Sequence, residues 1–158
     1  MQGTVITRRA DWPAALPVAI ADWLGRPTVL GEADCGLMVW DVAARGLGVQ
    51  LSARPPYACA RGAMRLGRRG GPPVWLARRL ELAEDPALLS DGDLLALPPD
   101  PEGRGGVCGS IGVINGAAVW TMRDAAGLEA VPVVAWLAVP EVVGASLRDG
   151  AQIAMEAR

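Results

Sequence analysis

The sequence predicts an α+β fold, with helices gathered in the first half of the chain and an antiparallel β-sheet built from the second. Three observations carry this expectation. Apolar residues recur at helical spacing as far as Leu82, and after Asp91-Gly92 they fall into short β-like runs. Asn115-Gly116, between two of those runs, is a hairpin signal, because both central positions of a type I′ turn need positive φ. Helices followed by a meander, rather than alternating with strands, point to α+β.

Asp11 is placed to cap a helix running to Leu24, in which Trp12, Leu16, Ile20, Trp23 and Leu24 fall near one face. Pro13 and Pro17 lie near its start, and Gly25 with Pro27 ends it. A second helix is expected over 34–45, where Leu37, Met38, Val39, Trp40 and Val42 leave almost no polar face. Such a helix is buried on most sides, and Gly46 and Gly48 stop it. Shorter helices are expected over 58–66 and 73–82, separated by the glycine- and proline-rich break at 67–72. The strand-like runs are 93–97, 109–114, 117–122, 128–133 and 135–139, with 98–106 as a loop. On this reading residues 1–143 form one domain, and 144–158 are a polar C-terminal tail that can end in a short helix.

A chain of 158 residues, 51% hydrophobic and 20% charged, can bury roughly two thirds of its unfolded surface in one core. Seventeen acids against fifteen bases give a net charge of −2, which excludes the basic balance of a general nucleic-acid binder and the excess charge of a disordered chain. Residues 1–12 carry Arg8 and Arg9 but no following apolar core of signal-peptide length. The most apolar stretch, 131–143, is interrupted by Pro132 and Pro140, so neither a cleaved signal nor a membrane span is expected.

There is no His, no Lys and no Phe. Without His the chain has no side chain that titrates near neutrality unperturbed, so Ser-His-Asp and Cys-His catalysis and His-containing zinc sites cannot be built from it alone. Cys35, Cys59 and Cys108 are odd in number and form no C-x-x-C pair, so no disulfide framework, metal site or cofactor is expected. Each reads first as a small core hydrophobe. Cys35 stands apart because it falls in the first turn of the second helix with Asp34 at the cap, where unpaired amides and the helix dipole favour a thiolate. Asp34, Asp41 and Asp93 are the candidate carboxylate partners, although an ordinary Asp pKa of about 3.9 is badly matched to a thiol near 8.5. The Trp residues read mainly as core volume in a chain lacking Phe, with Trp40, Trp75, Trp120 and Trp136 as possible anchors at a subunit contact.

The sequence here resembles the NlpC-type papain-like cell-wall endopeptidases, through Asp34-Cys35, then Gly92-Asp93-Leu94-Leu95, then Ser110-Ile111-Gly112-Val113-Ile114. In that resemblance Cys35 takes the place of the nucleophile and Ser110 that of the catalytic His. The likeness is closer to a family of small proteins encoded among the tail genes of long-tailed phages and phage-like elements. It runs through Trp12, Gly25-Arg26-Pro27, Gly31, Asp34-Cys35, Arg54-Pro55-Pro56-Tyr57 and Gly62-Ala63-Met64-Arg65. Gly92-Asp93, Gly127-Leu128, Val131-Pro132 and Ala135-Trp136 complete it. What the resemblance implies is a papain-like scaffold, helices packed on the sheet, in a virion tail near the tip or baseplate.

Charge patterning adds a surface. Between Val42 and Leu80 there are eight arginines and no acid, which leaves seven bases against seventeen acids elsewhere. Arg61, Arg65, Arg68, Arg69, Arg78 and Arg79 are the candidate subunit interface, since Arg forks pair with carboxylates. The alternative is a solvated face, or one folded back against the acidic half. Specific nucleic-acid binding is not expected, with only Tyr57 and Trp75 as stacking candidates.

The expected function is therefore a structural tail component on a peptidase-derived scaffold that has lost its base, made in the cytoplasm of a bacterial host and docked on other tail tip or hub proteins. The alternatives are a peptidoglycan hydrolase using Cys35, alone or with a base borrowed from a partner, and a chaperone of tail assembly.

Overall fold

A computed structural model describes residues 3–154, apart from the side chain of Asp124. The architecture is α+β, with α-helices α1 (Trp12–Ala21), α2 (Cys35–Val42), α3 (Ala60–Arg68) and α4 (Pro72–Arg79) preceding the main sheet. That sheet contains β2 (Leu94–Leu97), β3 (Ser110–Asn115), β4 (Ala118–Asp124), β5 (Gly127–Pro132) and β6 (Val143–Ala145) in the order β5-β4-β3-β2-β6. Each neighbouring pair is antiparallel. A short helix, α5 (Val133–Leu137), follows β5, and the strands β1 (Thr4–Val5) and β7 (Gln152–Ile153) pair separately.

Alternation along β2 divides the interior in two. Leu94 and Ala96 join the larger apolar cluster with α1 and α2, while Leu95 and Leu97 join a second cluster with Val119, Val131 and Trp136. The first cluster holds Leu16, Met38, Val39, Val42, Ile111, Val113 and Met122, so α2 is packed on β3 and β4 over the sheet's centre.

The first helix is shorter than its apolar pattern suggests. It ends at Ala21, and the Asp11 carboxylate pairs with Arg9 instead of capping the helix. The second stops at Val42 and widens into a π-helical turn, Ala43–Leu47, before Gly48 reverses the chain at φ +71°. Gly46 lets α1 come close, since a Cβ there would stand 3.1 Å from the Leu16 Cα. The β3–β4 hairpin is shifted by one residue from the expected turn. Asn115 pairs with Ala118, and the two loop residues are Gly116 (φ +63°) and Ala117 (φ +61°).

Two expectations in the last third are corrected. The 135–139 run is not a strand; Pro132 caps α5, which drives Trp136 into the second cluster. Nor is 144–154 a polar tail, because β6 completes the sheet beside β2 and Leu147 and Ile153 are buried in the first cluster. Val143, Gly144 and Ala145 carry too little periodicity to mark an edge strand on their own.

Asp93 holds this arrangement together. It is fully buried at the entrance to β2, and its Oδ1 accepts from Arg8 Nη2 (3.2 Å), Ser146 Oγ (3.0 Å) and the Leu147 amide (3.0 Å). Its Oδ2 accepts from the Ser90 amide at 3.0 Å, and Arg148 lies 3.2 Å away. The side chain ties both ends of the chain to the sheet, which makes it structural rather than a partner for a thiol.

Candidate functional site

The sheet and helices leave a cavity of about 310 Å³ at the N-terminus of α2, lined by Asp34, Cys35, Tyr57, Cys108, Ile111 and Met122 among others. Asp34 is the N-cap of α2, and Oδ1 accepts from the Leu37 amide (3.1 Å). Oδ2 accepts from the Gly31 amide (2.8 Å), and the Tyr57 hydroxyl donates to Oδ1. A carboxylate so engaged is a clamp on the helix start, with its oxygens directed at fixed donors and not at the sulfur.

The close packing explains two glycines. A Cβ at Gly31 would fall 2.1 Å from the Cys59 carbonyl carbon, and one at Gly36 would fall 2.6 Å from the Tyr57 hydroxyl oxygen. Segments that are scattered in the sequence thus meet at one point: Gly31, Asp34 and Gly36 from one side, Tyr57 and Cys59 from the other. A second convergence lies outside the cavity, where Gly127 packs so tightly on Arg26 that a Cβ would sit 2.1 Å from its carbonyl oxygen.

Cys35 lies where the sequence puts it, in the first turn of α2, but its burial opposes the thiolate expected there. The residue is only 9% exposed, and burial pushes its thiol up to about 12. The Asp34 carboxylate adds to this, while backbone hydrogen bonds from Ile111, Gly36 and Cys35 itself oppose it. Magnitudes decide the outcome. A helix N-terminus favours an anion by about 0.3–1 kcal/mol, whereas removing an ion from water costs several. The thiol therefore remains protonated at neutral pH.

Ser110 lines the same cavity as Cys35, but its hydroxyl is spent on backbone carbonyls. Its hydroxyl is fully buried and donates to Gly105 O (2.8 Å) and Arg104 O (3.3 Å), holding the preceding loop against the sheet. By the alternation of β3 it belongs with Gly112 and Ile114, whereas Ile111 and Val113 enter the cluster with Cys35. Ile111 and Met122 of the sheet share both the apolar cluster and the cavity wall with Cys35, and neither can accept a proton. Trp120 packs on the core, and the Thr121 hydroxyl donates to Ile111 O (2.8 Å). Asp41 is committed to Trp23 Nε1 and Arg45.

The other cysteines depart from core packing: Cys59 is exposed, and Cys108 lies half-buried in the cavity wall, where burial and Asp34 raise its thiol. Sequence reasoning missed Tyr57 as the partner of Asp34 and Cys108 as a neighbour of Cys35. The Arg-x-x-Tyr segment was the signal for the first; nothing local marks the second.

The arginine-rich stretch forms a second cleft that shares Pro56, Tyr57, Leu66 and Trp75 with the cavity wall. Arg65, Arg69, Arg78 and Arg79 line it together with Arg54; Arg61 and Arg68 are exposed on α3 outside it. Among the described residues, Arg54, Arg61, Arg65, Arg68, Arg69 and Arg78 enter no ion pair, while Arg8, Arg9, Arg45, Arg123 and Arg148 do. Trp136 is wholly in the core and Trp40 and Trp75 partly so, which leaves the tryptophans mostly as packing volume.

A family described as a domain of unknown function, DUF6950, matches residues 7–142. The chain belongs to that family. The match takes in the cavity, the arginine cleft and the sheet from β2 to β5, and ends just before β6. No curated protein matches the chain. Among the described residues no helix is long and apolar enough to cross a membrane, and no group of three or more His, Cys, Asp or Glu could hold a metal ion.

Proposed function

We propose that this chain is a structural component of the tail of a phage or phage-like particle, near the tip or baseplate, on a papain-like scaffold that no longer cleaves peptide bonds. The observation that supports the non-catalytic part is the setting of Cys35: a buried thiol, raised to about 12, in one apolar cluster with Ile111 and Met122. Peptide cleavage by a cysteine needs a thiolate, and burial holds the Cys35 thiol in its protonated form. The tail assignment rests on the sequence resemblance. It gains support from the way Gly31, Asp34 and Tyr57, separate pieces of that likeness, join in one clamp. Its partners on this reading are other tail subunits.

Two measurements test it. Purified protein incubated with peptidoglycan should release no peptides, and mass spectrometry of purified particles should find the chain as a stoichiometric component. Release abolished by Cys35→Ala would replace the structural reading with a hydrolase. Absence from mature particles, with presence during assembly, would replace it with a chaperone.

A further inference from the structure

The cleft between α3, α4 and the 52–58 segment has a volume of about 410 Å³. Arg54, Arg65, Arg69 and Arg78 stand around it, Val74 and Trp75 contribute apolar surface, and among the described residues no Asp or Glu lines it. Among the described residues these four guanidinium groups have no carboxylate partner within the chain. Four unsatisfied forks around a partly apolar groove form a surface complementary to a peptide that carries acids beside an apolar side chain, since arginine and tryptophan are the residues that concentrate binding energy in interfaces.

We infer that this cleft docks an acidic peptide segment of a partner protein, its Asp or Glu carboxylates on the arginine forks and an apolar side chain against Val74 and Trp75. The inference deepens the docking part of the reading above and names the chemistry of the partner. Charge placement favours a peptide over a nucleic acid: outside 42–80 the acids outnumber the bases by seventeen to seven, so a long polyanion leaving the cleft meets like charge, whereas a short acidic segment need not leave it.

Fluorescence anisotropy of the full chain tests this with a labelled peptide of alternating Glu and Leu, its Gln-for-Glu counterpart and a thymidine oligonucleotide of equal length. Inorganic phosphate serves as the competitor, at about 50 mM salt so that screening does not mask the effect. The Glu peptide should bind about tenfold or more tightly than the Gln peptide. Arg65→Gln/Arg69→Gln/Arg78→Gln should weaken it about tenfold with the urea midpoint unchanged, because among the described residues these exposed side chains make no hydrogen bond or ion pair. If the triple variant does not fold, Arg69→Gln alone is measured, and a loss of affinity for the Glu peptide only is the expected result. Equal binding of the two peptides, preference for the oligonucleotide, displacement by millimolar phosphate, or unaltered affinity in the folded variant overturns the inference. None of these results bears on whether the chain is present in purified particles, so the two proposals fail separately.

Discussion

The Tyr57 hydroxyl donates to Asp34 Oδ1 across the start of α2, while the Gly31 and Leu37 amides take the remaining positions of the same carboxylate. The aspartate preceding the cysteine is thereby held from both sides of the chain, and the cavity inherits its shape from that clamp. A motif that reads as activation of a thiol is, in the folded chain, a device for fixing a helix to the segment that crosses it.

Tyr57→Phe removes one donor from a buried carboxylate and should cost about 1.5–3 kcal/mol, the range for hydrogen bonds to charged groups. Urea denaturation should show a lower midpoint with an unchanged slope. Gly36→Ala should also destabilise, because its Cβ would meet the Tyr57 hydroxyl oxygen at 2.6 Å. In the Tyr57→Phe background that contact is gone, so the double variant should be more stable than the sum of the single losses predicts. Strict additivity would mean that the two residues do not share a contact.

The thiols should label in an order set by exposure and burial. Cys59 is exposed, Cys108 half-buried and Cys35 buried, so peptide mapping after iodoacetamide at pH 7.5 (about neutral) should find Cys59 modified first and Cys35 last, at least about a hundredfold more slowly. Preferential labelling of Cys35 would contradict the account of the site.

The same burial makes stability depend on alkaline pH. The Cys35 thiol moves from an ordinary 9.0 to about 12, so below pH 9 it is protonated in both the folded and unfolded chain and its contribution is complete. Between pH 9 and about 12 the unfolded chain gives up the proton first, and stability falls by up to ~1.4 kcal/mol per pH unit. Chemical denaturation from pH 8 to pH 11 (roughly this window) should therefore show a shallower decline for Cys35→Ser than for the parent chain. Identical declines would place the titration elsewhere.

Placing an imidazole at Ser110 should not create a catalytic pair. The Ser110 hydroxyl is buried against Gly105 O, and the residue alternates to the set that excludes Ile111. Ser110→His should lower the melting temperature through overpacking, by about 1–3 kcal/mol in stability, and leave Cys35 labelling at neutral pH unaltered. Faster labelling of Cys35 in that variant would show that the position does reach the sulfur.

Asp93 is the residue whose loss should cost most. Its carboxylate joins Arg8 at one end of the chain to Ser146 and Leu147 at the other, and both partners of the Arg8 pair are buried. Asp93→Ala leaves a guanidinium without its acid and should destabilise by about 3–5 kcal/mol. Hydrogen exchange in that variant should speed up most in residues 143–153, where β6 loses its anchor. Protection unchanged there would remove Asp93 from its place as the hub.

The sequence by itself determined the elements that depend on near neighbours. Helical spacing and capping located α1 to α4 within a few residues, turn chemistry located the β3–β4 hairpin to within one, and Asp34 ahead of Cys35 marked the start of α2. These follow from contacts three or four residues apart, which a linear reading can see. The helix at 133–137 escaped it because five apolar residues flanked by prolines have no period long enough to separate helix from strand. The β6 edge escaped it because its pairing with Leu94–Ala96 is made across some fifty residues of chain. Only the tertiary structure decided the burial of Cys35, the hydrogen bonds of Ser110 and, among the described residues, the lack of carboxylates in the arginine cleft. Each of these depends on which distant groups displace water from a side chain, and desolvation is a property of the whole packed neighbourhood, to which the local sequence contributes only a small part.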